Sequence, residues 1–338
     1  MRNIVVLFSL IFATAQVCQA QVCGCTDPLA TNYNPKATVN DGGCKYAPVT
    51  VRTTVLGTLD AQLEGSSSLL YWNNNYWTYS DHKDNCLYRI DSTNASTLGF
   101  LCVKNMRNQD TEEFTQDAHY LYFGDMGNNR GNRKNLHILR ISKKSLLNKT
   151  FKIDTIRFSY EDQTDFTARP NATDFDCEAF VVTKDSIYLF TKQWVSHKTT
   201  VYCLPKTPGT HVAHRRGTFN VKGLITGATY LPEYQLIVLC GYDYDKKNFL
   251  SALHPFVVLL YDFKDGDLLS GNKRRLDFNS GEKAQIEGIA TSNGLDYYLT
   301  CEHFTTTQLG ITFEFPAQLY RLDLRKYLLP YLKRMKNQ

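Results

Sequence analysis

The stretch Ile286-Glu287-Gly288-Ile289-Ala290, followed by Tyr297-Tyr298-Leu299-Thr300 and then Gln318-Leu319-Tyr320-Arg321-Leu322-Asp323-Leu324, is one copy of a phrase that returns along the whole chain. Each copy holds a short apolar run, often opened by a carboxylate, then a strand rich in Tyr and Phe, then a strand of the type Leu-Tyr-Arg-Ile. Recurrence at this scale points to a radial or stacked repeat, because each unit has an apolar face that only its neighbours can cover.

Reading backwards from that copy, the same three strands fall at 226–230, 235–239 and 256–261, then at 178–182, 186–190 and 200–204. Two earlier copies follow at 112–115, 119–123 and 136–141, and at 67–71, 76–79 and 86–91. A fourth strand closes four of the copies, at 98–103, 152–160, 211–219 and 273–278, while the last copy lacks one and a spare strand stands at 49–59. A ring in which the N-terminal strand completes the last unit accounts for both oddities and hides the sheet edges. The strands alternate with period two, are dense in Tyr, Phe, Ile and Val, and leave no long helical pattern. The expected fold is all-β, a five-bladed β-propeller closed by an N-terminal strand. A sixth blade would have to come from 161–176, which is polar and has no second strand; a β-sandwich leaves the missing fourth strand unexplained.

The first three residues carry one positive charge and 4–13 are apolar apart from Ser9, the pattern of a signal peptide too short to span a bilayer. The expected organisation is a signal peptide at 1–20, cut after Ala15 or Ala20, a small Cys-bounded module at 21–47, the propeller at 48–325 and a basic tail at 326–338. The protein is therefore expected to be secreted or held at the cell surface, as a monomer without a transmembrane segment. The formal charge of +5 is dispersed along the chain, which gives nucleic-acid binding no support. The tail is expected to pack its leucines on the domain rather than on a membrane.

Ten cysteines in an exported chain raise the prospect of disulfides, yet a cut after Ala20 removes Cys18 and leaves at least one thiol unpaired. Cys177, Cys203, Cys240 and Cys301 lie inside strands and read as small buried hydrophobes. Cys86 and Cys102 stand on successive strands and are a candidate pair. The module at 21–47 is rich in turn formers and nearly free of aliphatic residues, so it cannot build a core and needs a cross-link, for which Cys25 and Cys44 are the natural pair. Its Cys25-Thr26-Asp27-Pro28, Asn32-Tyr33-Asn34-Pro35 and Asp41-Gly42-Gly43-Cys44 resemble a short Cys-bounded module of bacterial secreted and surface proteins, which implies a spacer or attachment element. Asp27, Asn32, Asn34, Asn40 and Asp41 suit oxygen ligation of Ca²⁺, but the same residues make Asx turns, the reading favoured here.

Two columns of the repeat are placed to carry function. The first is the residue that opens the inner strand: Glu112, Glu178, Thr226 and Glu287, with Glu64 or Ser67 in the first unit. Carboxylates converging on one axis repel unless a cation sits among them, so Glu112, Glu178 and Glu287 form a candidate Ca²⁺ or Mg²⁺ site. The second column is the loop leaving the second strand, where Asp81, His82, Asp125, Asn128, Arg130, Lys192, Trp194, Tyr242, Asp243, Glu302 and His303 mix charge, amide and aromatic groups. That mixture suits a rim that binds a glycan, a small molecule or a surface protein.

The Glu287-Gly288-Ile289-Ala290 and Glu178-Ala179-Phe180 openings resemble those of secreted phytase-like and lactonase-like propellers. That resemblance implies metal-assisted hydrolysis of an ester, lactone or phosphate as the alternative to binding. No nucleophile elbow, zincin helix or phosphate loop is present, and the His and Cys residues lack zinc spacing.

Overall fold

The computed structural model describes residues 21–81, 84–106, 108–244, 253–264, 266–279, 283–308 and 310–336. The signal peptide expected at 1–20, Cys18 and the rim candidate His82 lie outside the described residues.

The strands lie where the repeat places them. Ser66–Trp72, Asn75–Ser80, Cys86–Ile90 and Thr97–Cys102 form one antiparallel sheet. Its first turn is Asn73-Asn74, both left-handed at φ 49° and 57°, the backbone of a two-residue hairpin turn whose twist matches its strands. Two further antiparallel units run through Thr111–Gln116, Tyr120–Asp125, His137–Ser142 and Ile153–Tyr160, then through Asp176–Val182, Ser186–Lys192, Thr199–Pro205 and Gly209–Phe219. Leu224–Leu231, Leu236–Tyr244, Leu253–Tyr261 and Asn272–Phe278 form the next, and Ile286–Thr291, Asp296–Cys301 and Gln318–Asp323 the last.

The first strand of each unit lies against that of the next, and Ile286–Thr291 lies against Ser66–Trp72. Each large apolar cluster is drawn from two successive units, as where Phe114 and Phe123 meet Tyr79 and Leu87, or Phe180 and Leu189 meet Tyr122 and Phe158. Every unit thus buries its apolar face on its neighbours, and the chain is a β-propeller. Buried side chains of this size contribute roughly 1.5–3 kcal/mol each.

The spare strand at 49–59 divides between two units. Thr53–Thr58 pairs antiparallel with Gln318–Asp323, completing the last unit, while Thr50–Val51 pairs in parallel with the outer strand Asn272–Phe278. The outer strands Ile153–Tyr160 and Gly209–Phe219 also pair in parallel, joining two units into one eight-stranded sheet and covering both edges. A hairpin absent from the repeat, Phe304–Gln308 with Ile311–Phe315, stacks Phe304 on Phe315 at 4.4 Å. The segment after Leu324 is a helix, Arg325–Lys336, whose Tyr327, Leu328, Tyr331 and Leu332 recur on one face and pack into the core beside Leu236 and Tyr297.

The N-terminal module is held by the Cys25–Cys44 disulfide, and Cys86–Cys102 joins two paired strands. Each Asx side chain in the module accepts a backbone N–H, Asp27 from Leu29, Asn32 from Lys45, Asn34 from Lys36, Asn40 from Gly42 and Asp41 from Gly43. The module is docked rather than free. Asp27 Oδ2 accepts the hydroxyls of Tyr46 and Tyr261, and Asp262 accepts from Thr26 at 2.8 Å and Asn40 at 3.0 Å. Two disulfides fit an oxidising compartment. Among the described residues no helix is long and apolar enough to cross a membrane.

Candidate functional site

The first column of the repeat turns out to be a column of β-bulges. In every inner strand the ladder shifts at its opening, so that Ser67, Glu112, Glu178, Thr226 and Glu287 have no partner in the register to the second strand. A bulge leaves one residue out of the pairing and re-aims its side chain. Repeated at each unit, it brings these residues together at one end of the ring. In the first unit the bulged residue is Ser67, not Glu64, and its buried Oγ has no hydrogen-bond partner among the described residues.

The second column reaches the same place, because the second strands end beside the openings of the first. Lys192, the last residue of Ser186–Lys192, is buried and lies 2.6 Å from Glu178 Oε2. Its ammonium also sits 4.8 Å from the Trp194 ring centre and 5.3 Å from that of Tyr242. Burial pulls the Lys192 ammonium down, but Glu178, Tyr242, Glu287 and Asp176 more than reverse it, so it remains a cation well above the ordinary lysine range. Burial drives the carboxyls the other way. Glu178 is pushed up to about 8 against the pull of Lys192, and Glu302 to about 7, with Asp81 adding to it. Burial lifts Glu112 and Glu287 well above the usual range, reinforced by Glu178 in each case. Buried Asp176 is raised too, although Lys192, the Trp194 indole N–H at 2.8 Å and the Asn128 N–H at 2.6 Å favour its charge. At neutral pH this is a nest of carboxyls that share protons around one fixed ammonium, meeting solvent through half-buried Glu112, Glu302, Trp194 and Asp81.

The structure thus gathers Asp81, Glu112, Glu178, Lys192, Trp194, Tyr242, Glu287 and Glu302. Asp125 and Asn128 serve as braces. Asp125 pairs with Arg133 at 2.5 Å, and the Asn128 side chain accepts the Arg133 N–H and donates to Phe175 O, tying one unit to the next. Arg130 is exposed, Asp243 faces His197 at 3.5 Å, and His303 faces Glu314 at 3.3 Å on the extra hairpin; among the described residues no contact places these three in the nest.

Sequence reasoning missed Asp110, Asp176, Arg133 and Glu113. Asp110 is raised to about 6 by burial, with Arg133 opposing. Glu113 is fully buried deeper at the axis, where it accepts from Ser68, Phe114 and Ala228 of three inner strands. Its neighbour Glu112 drew attention as the opening residue, yet the bulge makes Glu113 the one that pins the centre. The adjacent pair Glu112-Glu113 and the sequence Asp176-Cys177-Glu178 were the available signals.

For the divalent cation expected among Glu112, Glu178 and Glu287, the donor set is a poor fit. The Lys192 ammonium already occupies Glu178, and among the described residues no group of three or more His, Cys, Asp or Glu could hold a metal ion.

No family model matches this chain, and no curated protein matches its sequence. Solved structures similar to it include the WD40 repeats of RRP9, at 10% identity over 82% of this chain and 99% of that one, TM-score 0.33. BamB from Moraxella catarrhalis is 11% identical over 82% of this chain, TM-score 0.28, and the chain spans only 62% of its length. A candidate 6-phosphogluconolactonase from Bacteroides uniformis is 10% identical over 75% of this chain and 71% of that one, TM-score 0.33. Likeness this distant says nothing of what the chain binds.

Proposed function

We propose that the chain is an exported five-bladed propeller that binds a small ligand bearing an ammonium group or a dense set of hydroxyls at the mouth lined by Glu112, Glu302, Trp194 and Asp81. The count of five is supported by the cyclic order of the inner strands and by the N-terminal strand that completes the last unit. Export is supported by the charged and apolar start of the chain and by the two disulfides.

The observation that carries the binding reading is the Lys192-centred nest. Glu112, Asp176, Glu178, Glu287 and Glu302 stand against a single cation, so every carboxyl beyond the first that loses its proton adds to a surplus of negative charge. Carboxyls that keep theirs both donate and accept hydrogen bonds, which is what a hydroxylated ligand needs. The half-buried Trp194 ring adds an apolar face. Titration calorimetry with glucosamine, glucose and spermidine tests this. Binding of at least one, weakened about tenfold or more in Glu302→Gln and Trp194→Ala, is the expected result; no binding, or binding indifferent to both changes, overturns it.

The alternative is a hydrolase, and one observation favours it: Glu302, held near 7 and open to solvent beside a fixed cation, has the poise of a general acid or base. Turnover of ester, lactone or phosphate substrates, lost in Glu302→Gln, would support it. Loss of that turnover with EDTA would restore a Ca²⁺ or Mg²⁺ cofactor, and turnover unchanged in Glu287→Gln would remove the axial metal site.

A further inference from the structure

At the opposite end of the ring, the turns between first and second strands enclose a cavity of about 510 Å³ with the reverse electrostatic character. Its lining includes Lys143, Lys184, Lys206 and His119, together with Val182 and Tyr230. One carboxylate, Asp117, belongs to the same wall, and its capacity is spent. Asp117 Oδ1 accepts the N–H groups of His119 and Tyr120, and Oδ2 accepts the Tyr122 hydroxyl at 2.8 Å and Lys206 Nζ at 2.9 Å. Burial works to raise its pKa, but these donors hold it down to about 2, so it is a permanent anion that offsets one ammonium.

Three lysines against one carboxylate leave the cavity with two uncompensated positive charges. Lys206 also reaches Thr183 O, and Lys143 donates to Asp117 O at 2.6 Å, so both ammoniums are fixed at the wall with N–H groups to spare. Lys184 is exposed and has no ion-pair partner among the described residues. Asp185 and Glu233, on the same turns, are exposed and do not line the cavity. Val182 and Tyr230 supply apolar surface beside the charges.

We infer that this cavity is a second binding site, for a small organic anion, a carboxylate or phosphate monoester on an apolar body. Held ammoniums fix the anionic head without the ordering cost of free side chains, and the apolar wall takes the body. The site is independent of the Lys192 nest and faces the other way.

The test is titration calorimetry on the full chain with benzoate, phenyl phosphate and neutral benzyl alcohol, at low and at physiological ionic strength. The expected result is binding of one or both anions and not of the alcohol, weaker at higher salt. Lys143→Gln and Lys184→Gln should each weaken it about three- to tenfold, and Glu302→Gln should leave it unchanged. The exposed Lys184 side chain has no hydrogen bond or ion pair among the described residues, so its variant is expected to fold and carries the test even if Lys143→Gln does not fold. No heat from either anion, or equal affinity in Lys184→Gln, overturns the proposal.

Discussion

Lys192 Nζ and Glu178 Oε2 lie 2.6 Å apart with both side chains almost fully buried, 5% and 8% exposed. The pair belongs to neither column alone: Glu178 is the bulged opener of an inner strand and Lys192 ends the next strand of the same unit. A buried ion pair adds little net stability over apolar packing, but removing one partner strands the other without compensation. Lys192→Met should therefore cost about 3–5 kcal/mol in urea unfolding above about pH 8, where Glu178 has given up its proton, and less at neutral pH. The double variant Lys192→Met with Glu178→Gln should recover part of that loss, because no unpaired charge is left behind.

The same nest fixes a pH dependence. Glu178 at about 8, Glu302 at about 7 and Asp110 at about 6 all hold protons in the folded state that the unfolded chain gives up near the ordinary carboxylate range. The folded state binds more protons across that window, so stability falls as pH rises from about 4.5 to about 8. Glu302→Gln should flatten the upper part of the decline, read as Tm against pH. Asp117, held at about 2, acts oppositely: its contribution is complete above its ordinary pKa and disappears as pH falls toward about 2.

Close packing of the inner strands makes a separate prediction. A Cβ on Gly288 would come within 2.4 Å of Thr300 Oγ1 and 2.6 Å of the Ser68 carbonyl carbon, which belongs to the first unit. Gly288→Ala should destabilise by about 1–3 kcal/mol through overpacking. A ring left open between the last unit and the first would lose the Ser68 clash and keep only that with the rotatable Thr300 side chain, so equal urea midpoints for the two proteins would contradict the contact.

Much of this was legible in the sequence, because period-two alternation and recurrent openings are local properties. The strands of each unit could be placed, and so could the need for 49–59 to serve the last unit. The split of that segment around Arg52 was not legible, since it depends on where the outer edge of Asn272–Phe278 happens to pass. For the site, the openers Glu112, Glu178 and Glu287 and the loop residues Lys192, Tyr242 and Glu302 were all visible, but as two columns. That they meet follows from the bulges, which a sequence does not display. A lysine in a polar loop gives no sign that it will be buried as the counter-ion of three strand openers. Arg130, Asp243 and His303 have the same composition signal as Lys192 and Trp194, and only the course of each loop separates them.

The docked module offers the last test. Asp27 takes hydroxyls from Tyr46 on the module side and Tyr261 on the propeller, and the Arg274 guanidinium lies 4.7 Å from the Tyr46 ring and 4.8 Å from the Tyr327 ring of the C-terminal helix. Module, outer propeller wall and helix thus share one buried polar joint. Asp27→Ala removes the shared carboxylate acceptor and leaves the Tyr46 and Tyr261 hydroxyls only their mutual hydrogen bond at 3.0 Å, so it should cost about 1–3 kcal/mol. Because the joint ties three elements together, the loss should lower the single melting transition of the whole chain and speed proteolysis within 21–47. A tethered spacer would behave differently: the module would be cleaved faster while the propeller's Tm stayed put, and that outcome would show that the contacts of Asp27 hold the module without the propeller depending on it.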